Sequence, residues 1–430
     1  MESKYLIVGN SVAAIAAIES IREEDKNGSL TVVSDEKVYN YSRPLISYYL
    51  GGKIDEGNIY FREKDFYSKN GVKLILGKKA QKLNVNERLV FLSDETVIRF
   101  EKLLISTGGK PIIPTIGGIN DIKDGIFTFT KLSDTKAMLD YIKLNNINSA
   151  VVLGGGLIGL KAAEGLVARG MRVTIIELAD RILPNTLDIE ASGILERALA
   201  NLGCSVVKED TIVSVSGDNG ILKKVYLRSG EMIETALLVI AIGVRPNLDL
   251  IKDTPINYDR GIVVNDYMQT NIKEIYAAGD VVQAKSFLNS NSEVLALWPV
   301  AFRQGRVAGF NMAGKETKYD GLFAMNSVEI AGIPVISFGI SNPVDLDGYE
   351  VLVRKESKAP LYRKIVIKDG KVIGGIFLGR IDRAGIFLGL LRFGLEVSPF
   401  KEELLKDDFG FLVLPKNYRK HMVVGEVIEV

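Results

Sequence analysis

The chain has 430 residues, enough to bury two or three hydrophobic cores, and its 47% apolar and 25% charged residues are ordinary for a globular protein. Lys+Arg 54 against Asp+Glu 53 leaves a formal net charge of +1, and with no basic tract or zinc-finger spacing no nucleic-acid partner is expected. One cysteine, Cys204, and one histidine, His421, exclude an intrachain disulfide, a Cys-x-x-Cys redox pair and a cysteine-ligated iron–sulfur cluster, and argue against a zinc site, so no metal is expected.

Ser-His-Asp chemistry would have to run through His421, between Lys420 and Met422 near the C-terminus, which is a poor place for it. No uninterrupted apolar segment of about 18 residues occurs, so no membrane span is expected. The N-terminus reads as a buried strand and not a signal peptide, which makes the cytoplasm the expected compartment.

In chain order, residues 4–8 predict a short apolar strand, 12–22 an amphipathic helix and 30–33 a second strand. Strands follow between 73 and 92 and at 102–106, and the Gly- and Pro-containing stretch 108–118 reads as a crossing linker. A fresh βαβ unit starts at Ser149, with a helix over 157–169 and a strand over 173–177. Further strands end at Ala241 and at Asp280. The simplest arrangement is an α/β fold with two Rossmann-like dinucleotide-binding domains, the second inserted in the first. The first would use residues 1–118 and 246–322, and the second 119–245. Residues 323–430 have another rhythm. Strands at 362–367 and 372–378 joined by Lys368-Asp369-Gly370-Lys371 form a hairpin, and a helix follows over 386–393, giving a small α+β domain for an interface or for docking. The apolar run 386–391 is either core or a partner face.

Two segments carry chemistry. In the second domain Gly154, Gly156 and Gly159 complete a dinucleotide fingerprint: the first allows the tight turn, the second lets backbone approach a pyrophosphate, and the third lets helix pack on strand. The helix start offers unpaired N–H groups to phosphate. Glu177, after the next strand, can accept from both ribose hydroxyls and would repel a 2′-phosphate, which favours NADH over NADPH. In the first domain Gly9, Ser11 and Ala14 fill the same three positions with small residues, and Asp35 and Glu36 follow the second strand. Two such sites suggest a flavin and a nicotinamide handled by one chain, hence hydride transfer.

The ordered set of motifs resembles the flavin-dependent pyridine nucleotide-disulfide oxidoreductase superfamily, in the branch without a catalytic disulfide. That branch includes NADH-rubredoxin reductases, ferredoxin reductases of oxygenase systems, NADH oxidases and the flavin module of assimilatory nitrite reductase. The match runs from residue 1 to about 325 and continues more weakly beyond. The resemblance implies FAD on Gly9, Ser11 and Ala14, with Glu36 of the Asp35–Glu36 pair at the adenosine ribose. Tyr41-Ser42-Arg43-Pro44 would run beside flavin and phosphates, Arg43 supplying positive charge. Ser106-Thr107-Gly108-Gly109 and Ile242-Gly243-Val244-Arg245-Pro246-Asn247 match two signature segments, Thr107, Gly108 and Gly243 among their cofactor-side residues. Asp280 of Gly279-Asp280 would bind the ribityl chain. Trp298 of Leu297-Trp298-Pro299 would start the helix beneath the flavin ring, followed by Gln304-Gly305.

Three departures stand out. Disulfide-reducing members, and those that reduce oxygen or peroxide through cysteine, place a reactive cysteine around 42–47, and this chain has none there. Cys204 reads as structural. A lysine that several ferredoxin-reductase-like members hold near flavin N5 corresponds here to Tyr48. A glutamate common near the nicotinamide corresponds to Lys161. Tyr48 and Lys161 are therefore the candidate catalytic positions. The expected activity is NADH oxidation through FAD, with NAD(H) as second cofactor. Electrons would go to an iron–sulfur or rubredoxin-like carrier: ferredoxin, rubredoxin or an iron–sulfur subunit. The C-terminal domain would offer a docking surface, a homodimer contact or a place in a larger redox complex. The alternatives are an NADH oxidase, a flavin-binding subunit with little turnover of its own, and a nicotinamide-only dehydrogenase.

Overall fold

A computed structural model describes all residues except 289, 290, 344, 346, 357, 358, 417 and 420–430, so His421 lies outside the described residues. The chain divides into two compact units. One comprises residues 1–112, 130–137 and 243–322, the other residues 113–129, 138–242 and 323–430.

The first unit is organised around the buried strand Glu2–Val8, which runs parallel to Leu30–Ser34 on one side and to Val97–Ile105 on the other. Val72–Leu76 extends the parallel set beyond Leu30–Ser34. Val97–Ile105 serves two further neighbours along its length: its first residues pair antiparallel with Leu89–Leu92, and its last pair parallel with Ile275–Ala277. A strand from far downstream thus completes the sheet, as an interrupted domain requires.

The alanine-rich helix Val12–Glu24 is a strong helix former. Its sequence predicts an amphipathic helix, yet Val12 through Ile18, Ser20, Ile21 and Arg22 are all buried. The reason is a second layer. The late helix Trp298–Ala313 crosses it at Gly305 and Gly309, where a Cβ would strike the backbone oxygens of Ala13 and Ala17. The linker predicted at 108–118 is likewise more ordered than a bare crossing. Its strand Gly109–Pro111 pairs antiparallel with Val244–Pro246, so the outgoing and returning chains form one ribbon.

The second unit contains a five-stranded parallel sheet in the order Cys204–Val207, Arg172–Ile176, Ser149–Leu153, Leu238–Ile240, Ile126–Thr128. Helices Leu157–Val167 and Ile189–Asn201 belong to it, and an antiparallel ribbon runs through Ile212–Asp218, Ile221–Leu227 and Met232–Glu234.

The C-terminal domain clusters in the same unit. It is a five-stranded antiparallel sheet ordered Met325–Ile330, Ile333–Gly339, Lys371–Leu378, Leu361–Lys368, Tyr349–Glu356. Its central hairpin turns at Asp369 and Gly370, both at positive φ (48° and 70°), the backbone that a two-residue primed turn demands. The helix Ala384–Phe393 packs Phe387 against Phe377, ring centroids 5.0 Å apart. Ile386, Phe387, Leu390 and Leu391 are buried, so most of the apolar run 386–391 is core and not a free partner face.

Among the described residues no helix is long and apolar enough to cross a membrane, and no group of three or more His, Cys, Asp or Glu side chains could hold a metal ion.

Candidate functional site

Each unit carries one glycine turn at the end of its central parallel strand. In the first, Gly9 has φ 117°, and a Cβ there would strike the Ser106 carbonyl. Its N–H donates to the Val33 carbonyl at 2.9 Å, so the turn is tied to the neighbouring strand Leu30–Ser34. Ser11 is the extended N-cap of the helix, and its side chain makes no capping bond. The first N–H groups of the helix therefore have no side-chain partner and suit an anion. Ala14 is fully buried, as the third position needs.

The two acids beyond the second strand separate. Asp35 is half exposed and pairs with Lys131 at 2.8 Å. Glu36 points inward, accepting from Arg43 Nη2 and from the Tyr41 hydroxyl, each at 2.8 Å. Arg43 Nη1 donates to the Thr130 carbonyl at 2.6 Å, and Pro44 follows it in the short helical turn Arg43–Leu45. Charge from Arg43 also reaches Asp280. That carboxyl is recessed at the end of Ile275–Ala277: burial pushes its pKa above the ordinary carboxylate value, and Arg43 opposes the shift. Burying a carboxylate without donors is costly, so the position fits a hydroxyl donor arriving from a ligand. Gln304 Oε1 accepts from the Gly279 N–H at 2.9 Å, and so holds the Gly279-Asp280 turn from the late helix.

The two signature segments come together as one structure. The Thr107 hydroxyl donates to the Asn247 carbonyl at 2.9 Å, and the Asn247 N–H donates to the Gly108 carbonyl at 2.9 Å. Gly108 (φ 65°) and Gly243 (φ 115°) are in the region that excludes most side chains. Trp298 opens the late helix with its ring edge-on to Phe61, centroids 5.2 Å apart at 87°. Tyr48 lies in the helix Ile46–Leu50, and the Lys53 ammonium stands 5.6 Å from its ring centroid. A cation is thus present in this segment, five residues after the position where the resemblance expects one.

In the second unit, Gly154 has φ 114° and its Cβ would meet the Ala241 carbonyl; a Cβ on Gly159 would collide with the Gly154 carbonyl. Gly156 differs from both. It has an ordinary extended φ of −78°, and a Cβ there finds no heavy atom within 4 Å. Two glycines serve packing and the third keeps space open, which is the division of labour a bound pyrophosphate needs. Gly156 is also the N-cap of Leu157–Val167 and offers no side-chain bond to it.

Glu177 follows the strand Arg172–Ile176. Its Oε2 accepts from the Gly155 N–H at 2.6 Å and its Oε1 from the Ala179 N–H at 2.8 Å. Each oxygen keeps a second lone pair for a ribose hydroxyl. Sequence reasoning gave Glu177 one task, and the structure gives it another: it fixes the turn itself.

Lys161 is held at Glu164 Oε2 (2.6 Å) and at the Glu329 carbonyl (3.2 Å). Its charge is therefore matched within the unit. Cys204 is buried at the start of its strand, and burial pushes its thiol up to about 11, so thiolate chemistry at neutral pH is disfavoured.

The chain is similar to known proteins. Residues 3–305 match the pyridine nucleotide-disulphide oxidoreductase family, and residues 325–394 match the rubredoxin NAD+ reductase C-terminal domain. The chain is 31% identical to the NADH-dependent phenylglyoxylate dehydrogenase subunit epsilon of Aromatoleum evansii, over 94% of each chain. It is 29% identical to the nitrite reductase [NAD(P)H] of Bacillus subtilis, over 92% of this chain but 48% of that one. Among solved structures, NADH:rubredoxin oxidoreductase from Clostridium acetobutylicum superposes with a TM-score of 0.76 at 26% identity, covering 93% of this chain and 98% of that one. With a glycine turn in each unit and Cys204 as its one cysteine, the chain belongs to the pyridine nucleotide-disulphide oxidoreductase family, as an NAD(P)H-dependent flavoprotein without a catalytic disulfide.

Proposed function

We propose that the first unit holds FAD, the inserted domain holds NADH, and electrons leave for a one-electron iron–sulfur or rubredoxin-like carrier. The observation that carries this reading is the pair of glycine turns, each ending a buried parallel strand, with an inward-facing glutamate after the next strand: Glu36, paired with Arg43, and Glu177, bonded to the turn itself. Bound FAD supplies what no side chain here can, a centre that takes two electrons together and gives them up singly.

The residues then have distinct tasks. Gly9 turns the chain so that Ser11 and the helix start bring backbone N–H groups to the FAD pyrophosphate, with Arg43 adding positive charge while anchored on Glu36. Glu36 retains lone pairs for the adenosine ribose, and Asp280 accepts from a ribityl hydroxyl. Thr107, Gly108 and Gly243 shape the ribbon beside the cofactor, and Trp298 begins the helix under its ring. In the second unit Gly154, Gly156 and Gly159 receive the NADH pyrophosphate and Glu177 its ribose. Tyr48 and Lys161 stand where the resemblance expects a lysine near flavin N5 and a glutamate near the nicotinamide. Rubredoxin in one relative's name and a dehydrogenase subunit in another's favour a protein carrier as acceptor. The buried Cys204 leaves no thiol relay toward peroxide or a disulfide.

Anaerobic titration with NADH tests the reading. Bleaching of the visible flavin band by about one NADH per flavin is expected, followed by faster reoxidation by a small iron–sulfur protein than by oxygen. Flavin that NADH cannot bleach would overturn the proposal, and fast reoxidation by oxygen alone would transfer it to an NADH oxidase.

Glu177→Ala tests the ribose assignment. Losing the carboxylate should narrow the preference for NADH over NADPH. Affinity for both should also fall by roughly five-fold, since the Gly155 and Ala179 N–H groups lose an acceptor worth about 1 kcal/mol. An unchanged NADH/NADPH ratio would remove Glu177 from that role.

A further inference from the structure

The turn at 154–159 is flanked by two segments, each bonded to the C-terminal domain. On one side, the Gly155 N–H donates to Glu177 while its carbonyl accepts from the Leu183 N–H at 2.9 Å. Leu183 is buried and has φ 50°, a left-handed conformation that leucine rarely adopts and that persists only where its surroundings over-determine it. The segment carrying it ends at Asp188. There Oδ1 caps the helix Ile189–Asn201 through the Ala191 N–H (3.1 Å). Oδ2 accepts from the Tyr362 hydroxyl (2.6 Å) and from the Lys364 ammonium (2.9 Å). Both partners lie on the strand Leu361–Lys368, and both are buried. Close by in sequence, the Ser341 hydroxyl donates to the Thr186 carbonyl at 3.1 Å.

On the other side stands the helix that begins at the turn. Glu164 Oε1 accepts from the Ala331 N–H at 2.7 Å, in the hairpin between Met325–Ile330 and Ile333–Gly339. Lys161 bridges Glu164 and the Glu329 carbonyl. The C-terminal domain thus fixes both segments that flank Gly155 and Gly156.

A domain needing only cohesion would place apolar residues at positions 362 and 364. This one directs a hydroxyl and an ammonium to a single carboxylate, on the segment whose Leu183 N–H bonds the Gly155 carbonyl. Burying those groups is costly unless the geometry is held closely. We propose that the C-terminal domain braces the nicotinamide-dinucleotide turn, with Tyr362 and Lys364 as positioning residues for NADH that act through Asp188 and Leu183. The proposal rests on reading 154–159 as the NADH turn. It separates binding from chemistry: the brace sets how well the turn receives pyrophosphate and leaves the flavin untouched.

The experiment uses the full chain loaded with FAD. Tyr362→Phe removes one hydroxyl with little change of volume. The pair Asp188→Asn with Lys364→Met removes both charges together and so avoids leaving one buried alone. In each, KM for NADH and the dissociation constant for NAD+ are expected to rise about three- to ten-fold, the equivalent of one hydrogen bond lost at the turn. The kcat at saturating NADH, the flavin spectrum and the flavin midpoint potential should stay at wild-type values. If the charge-pair variant fails to fold, Tyr362→Phe alone decides. Unchanged NADH and NAD+ affinities, with or without a lower Tm, would reduce the contacts to ordinary domain packing and overturn the proposal. A fall in kcat with unchanged KM would overturn it too. A wild-type protein that binds no NAD+ would instead overturn the reading of the turn on which the brace depends.

Discussion

Gly156→Val is expected to abolish NADH-driven flavin reduction while leaving the fold and the bound flavin intact. The backbone at Gly156, with φ −78° and ψ 178°, is comfortable for valine, and no heavy atom lies within 4 Å of the new Cβ. The side chain would therefore enter the open space above the helix start, where a pyrophosphate must approach backbone N–H groups. Losing that approach should lower kcat/KM for NADH by at least about 100-fold, or about 2.7 kcal/mol. The Tm and the flavin content should match wild type. Gly154→Ala and Gly159→Ala make the contrast, because their Cβ atoms run into the Ala241 and Gly154 carbonyls. Those two should unsettle the whole unit and lower Tm as well as activity. If Gly156→Val kept the wild-type KM for NADH, the nucleotide would have to bind elsewhere.

What was legible in the sequence was what lies close together along it. The turns, the strands that precede them, the helices that follow and the hairpin at Asp369-Gly370 are set by neighbouring residues, so their spacing in the chain is their spacing in space. The choice between Asp35 and Glu36 was legible only in part. Both follow the same strand, but successive side chains face opposite ways, and only Glu36 turns toward Arg43 and Tyr41. The burial of the helix Val12–Glu24 on nearly every face could not be read, since its second covering layer arrives at Gly305 and Gly309. The environment of Lys161 was hidden for the same reason. From sequence it faced either a nicotinamide or solvent, whereas its partners are Glu164 and the distant Glu329 carbonyl. Leu183, Tyr362 and Lys364 gave no local signal, because their significance lies in contacts across long stretches of chain. A positive φ on a buried leucine is visible only once the backbone is known.

Asp280→Ala is expected to give protein that purifies pale, and the physical reason also fixes how stability should depend on pH. The Asp280 carboxyl is raised by burial, with Arg43 working the other way, so the folded apoprotein holds this proton more tightly than the unfolded chain does. A carboxyl with a raised folded pKa weakens the fold as pH climbs past its unfolded value near about 3.9, and the penalty is complete above the folded value. At neutral pH, then, Asp280 destabilises the apoprotein. Asp280→Asn, which keeps the shape and removes the charge, should raise the apoprotein Tm at neutral pH, and the gain should vanish in acid where both forms are neutral. FAD binding should move in the opposite direction. A charge-assisted hydrogen bond to a ribityl hydroxyl is worth about 1.5–3 kcal/mol. Asp280→Ala should therefore weaken FAD binding by roughly ten- to a hundred-fold, with Asn, which can still accept, falling between Ala and wild type. Equilibrium dialysis of flavin, together with apoprotein melting curves at acid and neutral pH, checks both halves. Full flavin occupancy in Asp280→Ala would refute the contact. An apoprotein Tm in Asp280→Asn that follows wild type at every pH would show that Arg43 neutralises this carboxylate completely. The combination expected, a more stable apoprotein that holds its cofactor less well, is what a residue kept for ligand binding at the expense of the empty fold should produce.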